Sequence, residues 1–380
     1  MAKSLGIQHY QMSLGLKFRR INWSLVLVLT MTAMIGIAML YSAANGNLDP
    51  WASRHAARFG AGLVMMIGIA LIDIRHLLRW AYGIYGLALA MLALVEIMGI
   101  SGMGAQRWID LGFFQLQPSE VMKMALVLAL ARYFHGLTME ETRRLRALAA
   151  LLLLVLAPAA LVLRQPDLGT AVMLMLTSAA ILLAAGVRLR IFAIVAVAGL
   201  SAIPLAWQFL RDYQQERILT FLDPERDPLG AGYHILQSKI ALGSGGMFGK
   251  GFLNGTQSQL SFLPERQTDF IFTMLAEEFG LMGGLTLLAL YTLILIYGFV
   301  IGLGTKSQFA RLVATGVTAT FFVYVFINIA MVTGLIPVVG VPLPLVSYGG
   351  TAMVTIMVGV GLLMSVYVHR DIEIPRRPPV

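Results

Sequence analysis

The residues best suited to acid–base chemistry lie in the stretch LPERQTDFIF, residues 263–272, which contains Glu265, Arg266 and Asp269. Asp269 directly precedes FIFTMLAEEFG, a segment with apolar residues at helical spacing, so this carboxylate stands where a polar loop meets an apolar environment. Partial desolvation would raise its pKa and make it a better general base towards a hydroxyl group. The position also suits a helix N-cap, because Asp accepts backbone N–H bonds there. Both interpretations stay open on local sequence.

A second polar group lies in the stretch GAQRWIDLGFFQLQPSEVMKMALV, residues 104–127. Glu120 and Lys123 have the i, i+3 spacing that places opposite charges on one face of a helix. At the start of a membrane helix, such a pair forms either a polar cavity wall or a structural ion pair that orients two helices.

Two short polar features accompany these two groups. Arg107 and Trp108 could bind a phosphate and a sugar or lipid face, although an interfacial Trp is also a common membrane anchor. In RQPDLGTA, residues 164–171, Arg164 and Asp167 either cap the helix that follows or contribute to a site.

Basic residues in the long polar loop between residues 210 and 268 suggest an anionic partner, such as a lipid phosphate or a pyrophosphate. A solvated surface is the alternative. The residues are Arg217, Arg226, Lys239, Lys250 and Arg266. Two carboxylates, Glu277 and Glu278, follow within an apolar segment, so we expect them at an interface or in the protein interior.

The amino-acid composition indicates whether these residues belong to a soluble protein or to a membrane protein. The chain has 380 residues, 58% of them hydrophobic and 12% charged, and a mean hydropathy of +0.79. One soluble core could not hide so much apolar surface, so the protein is predicted to lie in a membrane. The absence of Cys excludes disulfides, thiolate metal sites and cysteine nucleophiles. A net charge of +9 could indicate nucleic acid, but the basic residues mostly flank apolar segments, so we expect no nucleic-acid partner.

The apolar runs predict an all-α polytopic membrane protein with about ten transmembrane helices. We read the first run, after a basic N-terminus, as an uncleaved helix, because it is too long for the core of a signal peptide. The predicted spans are 21–41, 59–74, 77–99, 119–134, 147–163, 168–186, 190–209, 281–303, 308–335 and 351–369.

The positions of Lys and Arg predict the orientation. With the N-terminus inside, the inner segments hold 17 of the 28 basic residues and the short outer loops hold four. Both termini are therefore predicted to be cytoplasmic. We expect a single membrane domain over 1–380, with a cytoplasmic segment 1–20, a long extracytoplasmic loop 210–268 and a cytoplasmic tail 370–380. Within the loop, YHILQSKIAL has a helical pattern that would suit a membrane surface.

The segment GLIPVVGVPLPLVSYGGTAM, residues 334–353, carries Pro and Gly residues that forbid a plain hairpin between helices. Irregular backbone at membrane depth must be buried in protein or line a cavity, so we predict a re-entrant loop. Asn328, in the preceding helix, is a polar intramembrane group with either a structural or a functional role. GSGGMFGKG, residues 243–251, is not a phosphate-binding P-loop, because its Gly and Ser/Thr positions do not match.

Several of these stretches together resemble the SEDS family, the proteins of bacterial shape, elongation, division and sporulation. The matching segments occur in family order across roughly residues 104–353, and GTQSQLSFLPERQTDFIF looks like the elongation branch more than the division branch. The segments are RWIDLGFFQLQPSEVMK, RQPDLGTA, FLDPERDPLGAGYHILQSKIALGSGG, GTQSQLSFLPERQTDFIFTMLAEEFG and GLIPVVGVPLPLVSYGG.

The resemblance implies a peptidoglycan glycosyltransferase in the bacterial cytoplasmic membrane. Such enzymes polymerise lipid II on the outer membrane face for cell elongation and release undecaprenyl pyrophosphate. The implied partners are a class B penicillin-binding transpeptidase and other membrane proteins of the elongation complex. We expect no organic cofactor. A divalent cation, Mg²⁺ or Mn²⁺, could stabilise the pyrophosphate, but the scattered His residues leave its ligands unknown.

The family's essential aspartate falls on Asp269, which we expect to be the catalytic base. Because only this carboxylate stands out, we expect an inverting single displacement. Gln267 departs from the His of many relatives. Family-typical polar positions fall on Glu120, Lys123, Asp167, Arg217, Gln237 and Ser238. We add Arg107, Trp108, Lys239, Glu265 and Arg266 as candidate substrate-binding residues.

Two other classes of function fit part of the sequence. A lipid II flippase or other transporter would also have ten helices with internal charges, but it would need polar groups in both halves of the membrane. The candidate residues crowd the outer face instead. A structural scaffold of a cell-wall complex would leave Asp269 dispensable for chemistry.

Overall fold

The computed structural model describes residues 12–102, 105–110, 112, 115–138, 141, 145–208, 212–223, 231–259 and 265–375. The described chain is almost entirely helical. The helices are α1 (Leu14–Arg19), α2 (Trp23–Ala43), α3 (Ala52–Leu71), α4 (Ile74–Met98), α5 (Pro118–His135), α6 (Leu145–Arg164), α7 (Leu168–Ala184), α8 (Leu189–Trp207), α9 (Asp212–Leu222), α10 (Ala231–Ser244), α11 (Thr256–Gln259), α12 (Ile271–Leu303), α13 (Gln308–Val332) and α14 (Gly350–Val368).

Ten of these helices have 17 to 33 residues and correspond to the ten predicted spans: α2 to α8 and α12 to α14. Among the described residues, α2, α4, α12, α13 and α14 are long and apolar enough to cross a membrane by themselves. The prediction of an all-α polytopic membrane protein is therefore confirmed. The span predicted at 59–74 was placed too late, because the polar residues Arg54 and His55 of the first turns of α3 interrupt its apolar run.

The helices α5 and α13 form the centre of the bundle. α5 packs against α4, α7, α13 and α14, and most of its residues are buried all round the helix. α8, in contrast, exposes apolar side chains such as Ile194, Val197 and Leu200 along most of its described length. A helix that is apolar on every side is stable either in a protein core or in lipid, and these two helices represent the two cases.

Contacts between segments far apart in sequence define two ends of the bundle. At one end, which we call the terminal end, Lys17 Nζ donates to Leu71 O at 2.9 Å and Ser365 Oγ donates to Ile72 O at 2.8 Å. Arg20 pairs there with Asp371 at 3.1 Å. The first and last described segments therefore meet at one end, as an even number of crossings requires.

We call the opposite end the Asp269 end. There, Ser42 at the end of α2 donates to Glu278 Oε1 at 2.5 Å, and His55 Nε2 contacts Leu345 O at 3.0 Å. A small antiparallel sheet, which the all-α prediction missed, precedes α5 and joins this end through Arg107. Its strands are β1 (Ile100–Gly102), β2 (Ala105–Asp110) and β3 (Gln115–Leu116), in the order β1-β2-β3.

α12 is broken at Gly280, whose φ of 65° and ψ of −161° lie outside the helical region. The loop that follows α10 replaces the hydrogen bonds lost at the break. Lys250 N and Gly251 N donate to the carbonyls of Glu277 and Glu278 at 3.0 and 2.9 Å. Because an unsatisfied backbone group is costly in a membrane, this pairing is what permits a broken helix. The predicted span 281–303 coincides with the part after the break.

The same loop pairs with the first residues after the break. Gly246 O and Met247 O accept from Leu281 N and Met282 N at 3.0 and 3.1 Å. Gly249 has a φ of +79°, and a Cβ atom there would overlap the Glu278 carbonyl. The glycine-rich sequence that fails as a P-loop thus lets two backbones approach closely at the helix break.

The segment between α13 and α14 is irregular, as predicted, and it enters the bundle. Tyr291 Oη, inside α12, donates to Pro344 O at 2.7 Å. A Cβ atom on Gly36 would lie 2.6 Å from Leu345 O, so only glycine fits at this contact. Gly36 precedes the end of α2 at Ala43 by about two turns, or roughly 10 Å. Residues 333–349 therefore form a re-entrant segment, of which 341–347 are mostly buried in protein while Leu335 remains exposed.

The predicted helix in the long loop is present as α10, but it does more than lie on a surface. Ser238 is fully buried, contacts Thr273 Oγ1 at 2.8 Å and donates to Val332 O at 2.7 Å. α10 is therefore packed against α12 and α13, while Leu236 and Ile240 remain exposed.

Candidate active site at the Asp269 end

Asp269 lies half-buried in the turn 265–270 that leads into α12. Phe270 takes the N-cap position of this helix and makes no side-chain cap, so Asp269 lies one residue before the N-cap. One carboxylate oxygen, Oδ2, faces the re-entrant segment, where a Cβ atom on Gly340 would lie 3.5 Å away. The carboxylate therefore stands at the edge of the bundle beside irregular backbone, and no side chain stands at position 340 to cover it.

Asn328, on α13, fixes the backbone that carries Asp269. Its Nδ2 donates to Asp269 O at 2.9 Å and to Val341 O at 2.7 Å. One buried amide thus joins α13, the Asp269 turn and the re-entrant segment. This contact gives the polar intramembrane group noted in the sequence a positioning role.

Two further contacts join the re-entrant segment to the same turn. Ser347 Oγ donates to Thr268 O at 2.5 Å, and Tyr348 N donates to Gln267 O at 2.8 Å. Three consecutive carbonyl groups, at positions 267 to 269, are therefore hydrogen-bonded to α13 or to the re-entrant segment. Held backbone of this kind restricts where the Asp269 side chain can lie.

Glu265 and Arg266 belong to the same turn. Glu265 is exposed, has a positive φ of 55°, and accepts from Thr268 Oγ1 at 2.8 Å. Its carbonyl also accepts from Thr268 N at 3.0 Å, so Glu265 shapes the turn. Arg266 is half-buried, and burial lowers the pKa of its guanidinium.

The second predicted group is an enclosed polar cluster. Glu120 is 5% exposed and Lys123 is 1% exposed, and Lys123 Nζ lies 2.6 Å from Glu120 Oε1. Tyr324, from α13, donates its hydroxyl to Glu120 Oε2 at 2.5 Å and also contacts Lys123 Nζ. The ion pair is therefore neutralised within the protein and links α5 to α13, and it does not face solvent in this conformation. The pairing with Tyr324 could not be read from the sequence.

Asp167 and Arg107 meet at the start of α7. Asp167 caps this helix by accepting from Thr170 N at 3.1 Å and from Thr170 Oγ1 at 2.9 Å, as the capping interpretation predicts. Arg107 donates to Pro166 O at 2.6 Å and to Gln165 O at 3.3 Å, and its Nη1 lies 3.9 Å from Asp167 Oδ2. Arg107 thus holds the α6–α7 loop in place.

The remaining predicted residues are spread around this end. Trp108 is half-buried in β2, opposite Ile100. Gln237 is half-buried on α10, next to the buried Ser238, and Lys239 is exposed. Arg217 lies in α9, and its side chain falls outside the described part of the structure, as does the whole of Arg226.

The break in α12 is stabilised by the side chains of Lys250, Glu277 and Glu278. Glu277 Oε1 accepts from Lys250 Nζ at 2.8 Å and from Gln257 N at 2.9 Å. Both glutamates are fully buried, which confirms the expectation that they lie in the protein interior. The charge of Lys250 is therefore neutralised by Glu277 within the protein.

Arg58, on α3, was counted in the sequence only as an outer charge. Its guanidinium carbon lies 4.7 Å from the centre of the Tyr348 ring, and a Cβ atom on Gly350 would lie 3.2 Å from it. Within the described ranges, no acceptor or carboxylate contacts this half-buried guanidinium. A cation with unused N–H donors therefore lies beside the segment that positions Asp269.

The described residues contain no group of three or more His, Asp or Glu side chains that could hold a metal ion. Glu120 and Glu277 already bind cationic side chains, whereas Asp269 and Glu265 lie together in the turn 265–270. Mg²⁺ is commonly bound by one or two carboxylates together with substrate phosphates.

Comparisons with known proteins agree with this architecture. The profile of a family described as cell cycle protein, covering FtsW, RodA and SpoVE, matches residues 20–372. The peptidoglycan glycosyltransferase MrdB of Escherichia coli K12 is 45% identical over 346 residues, which cover 91% of this chain and 93% of the relative.

Two solved structures are similar over nearly the whole chain. One belongs to a study of how a peptidoglycan synthase complex coordinates polymerization and crosslinking. It has a TM-score of 0.79 and 32% identity, covering 92% of this chain and 98% of the other. The other is the rod shape determining protein RodA of Thermus thermophilus, with a TM-score of 0.70, 29% identity and the same coverages.

Proposed function

This chain belongs to the FtsW/RodA/SpoVE family, and on that premise we propose that it is a peptidoglycan glycosyltransferase of cell elongation and rod shape. It polymerises lipid II into glycan strands at the membrane surface and releases undecaprenyl pyrophosphate. The observation that carries the proposal is Asp269, whose backbone is held at one end of a membrane bundle by Asn328 and whose turn is bonded to the re-entrant segment.

The proposed reaction is a single displacement with inversion. Asp269 takes the proton from the attacking sugar hydroxyl of one substrate. The hydroxyl oxygen forms a bond to the anomeric carbon of the second substrate, and the bond from that carbon to the pyrophosphate oxygen breaks. The electron pair of the broken bond leaves with the pyrophosphate. One positioned carboxylate is sufficient for this step, whereas a retaining reaction would need a second carboxylate as nucleophile.

Positive charge must stabilise the departing pyrophosphate. Lys123 is enclosed by Glu120 and Tyr324, and Lys250 is paired with Glu277, so their charges are already balanced. Lys239, Arg54 and Arg58 are the cations at this end whose charged groups have no acceptor in the described ranges. Of these, Lys239 and Arg58 lie beside the re-entrant segment. We therefore assign the phosphate contacts to Lys239 and Arg58, together with Arg217 and Arg266 of the long loop.

A divalent cation, Mg²⁺ or Mn²⁺, would supply additional charge to the pyrophosphate. The described residues support at most Asp269 and Glu265 as its protein ligands. Substrate phosphate oxygens would then complete its coordination. We derive no step of the reaction from it.

We place the protein in the bacterial cytoplasmic membrane, with both termini in the cytoplasm and the Asp269 end outside. The excess of Lys and Arg in the segments of the terminal end supports this orientation. A class B penicillin-binding transpeptidase is the proposed partner, together with other membrane proteins of the elongation complex. The similar structure from a synthase complex that both polymerises and crosslinks supports a transpeptidase partner.

Polymerisation of purified lipid II by the purified protein, with and without its transpeptidase partner, tests this function. We expect glycan strands from the wild type and from Asp371→Asn, a matched change of an exposed carboxylate at the terminal end. We expect none from Asp269→Ala or Asp269→Asn, with thermal unfolding confirming that all variants fold. Equal polymerisation by all variants would remove Asp269 from the reaction. Lipid II movement across a liposome bilayer without polymer would indicate a transporter instead.

A further inference from the structure

An apolar groove of about 330 Å³ lies between α10 and α12. Its size is at the low end of ligand pockets, which suits a segment of a chain better than a compact molecule. The lining residues are Leu242, Gly243, Gly246, Phe272, Ala276, Gly280, Leu281, Gly284, Leu285 and Leu288.

The groove runs from the Asp269 end into the membrane. Phe272 and Ala276 lie in the half of α12 that follows Asp269, before the break. Beyond the break, Leu281, Leu285 and Leu288 continue the groove along one face of the spanning half, with i, i+4 and i+7 spacing. Leu281 and Leu285 are about half exposed, so this part of the groove is open towards lipid.

Two glycines widen the groove at positions where the backbone conformation does not require glycine. Neither Gly243 nor Gly284 has a positive φ, so their conformation would accept any L residue. A Cβ atom on Gly243 would meet no atom within 4 Å, and one on Gly284 would make ordinary contact with Phe272 at 3.5 Å. A side chain at position 243 would project into the open groove, so glycine there preserves space.

A cation lies near the entrance, beside the re-entrant segment. Lys239 precedes Gly243 by four residues, so the two lie on the same side of α10. The residue is exposed, and its Nζ would lie 2.9 Å from a Cβ atom on Gly334, at the start of the re-entrant segment. No acceptor contacts Nζ in the part of the chain that the structure describes, so this charge is available at the Asp269 end of the groove.

We propose that this groove binds the polyprenyl chain of a lipid-linked pyrophosphate, with the pyrophosphate at Lys239 and the sugar directed towards Asp269. The inference rests on the proposed function, because it places the tail of the same substrate. A polyprenyl substrate fits better than a bulk phospholipid because the volume of the groove suits a segment of a single chain and because Asp269 lies in the turn that directly precedes the helix lining its entrance. The occupant is therefore a substrate or product of the reaction.

The first test measures how the chain length of the substrate affects KM in nanodiscs, using lipid II with its native chain and a truncated, water-soluble analogue. We expect Gly243→Leu to raise KM for the native-chain substrate about tenfold, a loss of roughly 1.4 kcal/mol of binding. KM for the truncated analogue should not change. Gly86→Leu is the matched control, because Gly86 is also exposed on a membrane helix with open space around its Cα. Equal effects on both substrates, or no effect on either, would overturn the proposal.

The second test does not need turnover. Wild-type protein is labelled with a photoreactive polyprenyl pyrophosphate, and the labelled residues are mapped by mass spectrometry. We expect label within residues 272–288 that excess undecaprenyl pyrophosphate removes and excess phosphatidylglycerol leaves. Removal by phosphatidylglycerol, or label elsewhere, would overturn the proposal in favour of a general lipid contact. Specific label on a protein that makes no polymer would support the groove while rejecting the polymerase function.

Discussion

Asn328 and Tyr324 lie one helical turn apart on the same face of α13, and each joins α13 to one of the two polar groups of the site. Asn328 bonds the Asp269 backbone at 2.9 Å, and Tyr324 donates to Glu120 at 2.5 Å. Four residues of helix rise about 6 Å, so the buried ion pair lies roughly that far beneath the Asp269 turn. The half-buried Asp269 turn and the enclosed ion pair thus contact α13 at two successive turns.

Asn328→Ala should lower kcat of polymerisation by roughly 10²-fold with little change in KM, because misplacing a catalytic group by about 1 Å has an effect of this size. Steady-state kinetics on lipid II check the prediction. Thr315→Ala is the control, since Thr315 is a half-buried α13 residue whose hydroxyl bonds only its own helix. An unchanged kcat would remove the positioning role of Asn328.

Lys123→Met should destabilise the protein by about 3–5 kcal/mol, because it leaves Glu120 buried without a counter-charge. The double variant Glu120→Met with Lys123→Met should recover much of this loss, since it removes both charges together. Thermal unfolding in detergent measures both. Arg20→Met breaks an exposed pair and should have an effect below about 1 kcal/mol. If the double variant is as unstable as the single one, the pair is not the source of the effect.

Arg58→Gln should raise KM for lipid II about tenfold, because it removes a charged donor set from the proposed phosphate site. Arg58→Lys should show a smaller change, since the charge remains but the planar fork is lost. Arg370→Gln is a matched control, because Arg370 also stacks on a tyrosine ring, at 4.9 Å, but at the terminal end. Similar KM values for the Gln variants at positions 58 and 370 would contradict the assignment.

Gly249→Ala should destabilise the protein by more than about 1 kcal/mol, because φ is positive there and the new Cβ atom would overlap the Glu278 carbonyl. Gly243→Ala, six residues earlier, should be nearly neutral, since its Cβ atom enters open space. Unfolding temperatures of the two variants give the comparison. Equal stability of the two variants would mean that the loop does not pack closely against the backbone at the helix break.

Asp73, at the terminal end, should make stability depend on acidity. Burial alone would raise its pKa, but the hydrogen bonds and positive charge of Arg75 hold it well below its usual value near 3.9. The ionised Asp73 side chain therefore stabilises the folded protein fully at pH values above its pKa in the unfolded chain. This stabilisation is lost as the pH falls through the lower pKa of the folded protein. The difference in unfolding temperature between wild type and Asp73→Asn should be constant above about pH 5 and shrink below pH 4. A constant difference at all pH values would contradict it.

Local signals in the sequence were enough to predict much of the fold. Apolar runs gave the ten spans, Asp167 was read as a helix cap, and the Pro and Gly residues after α13 indicated a re-entrant segment. Each of these depends on residues close together in the chain, where periodicity and capping chemistry act. The small sheet was missed because its strands have only two to six residues.

The site itself depends on contacts between distant residues, which local patterns do not contain. Asn328 reaches Asp269 across 59 positions, and Tyr324 reaches Glu120 across 204. Arg58 looked like an orientation signal, and only the packing of Tyr348 gives it a place near Asp269. The sequence left open whether Lys123 lines a polar cavity, and the structure shows that Tyr324 of α13 encloses it together with Glu120. The sequence therefore showed which residue types were present, but it did not show which distant residues they contact.

The break at Gly280 also removes a mismatch between the length of α12 and the thickness of the bilayer. A continuous α12 of 33 residues would be about 50 Å long, whereas a bilayer core is about 30 Å thick. Such an excess would have to be absorbed by tilting the helix or thickening the bilayer. Gly280 divides α12 into a part of 281–303, whose length of about 35 Å is close to that thickness, and a short part of 271–279. Asp269 directly precedes the short part, so it lies outside the portion of α12 whose length matches the hydrocarbon.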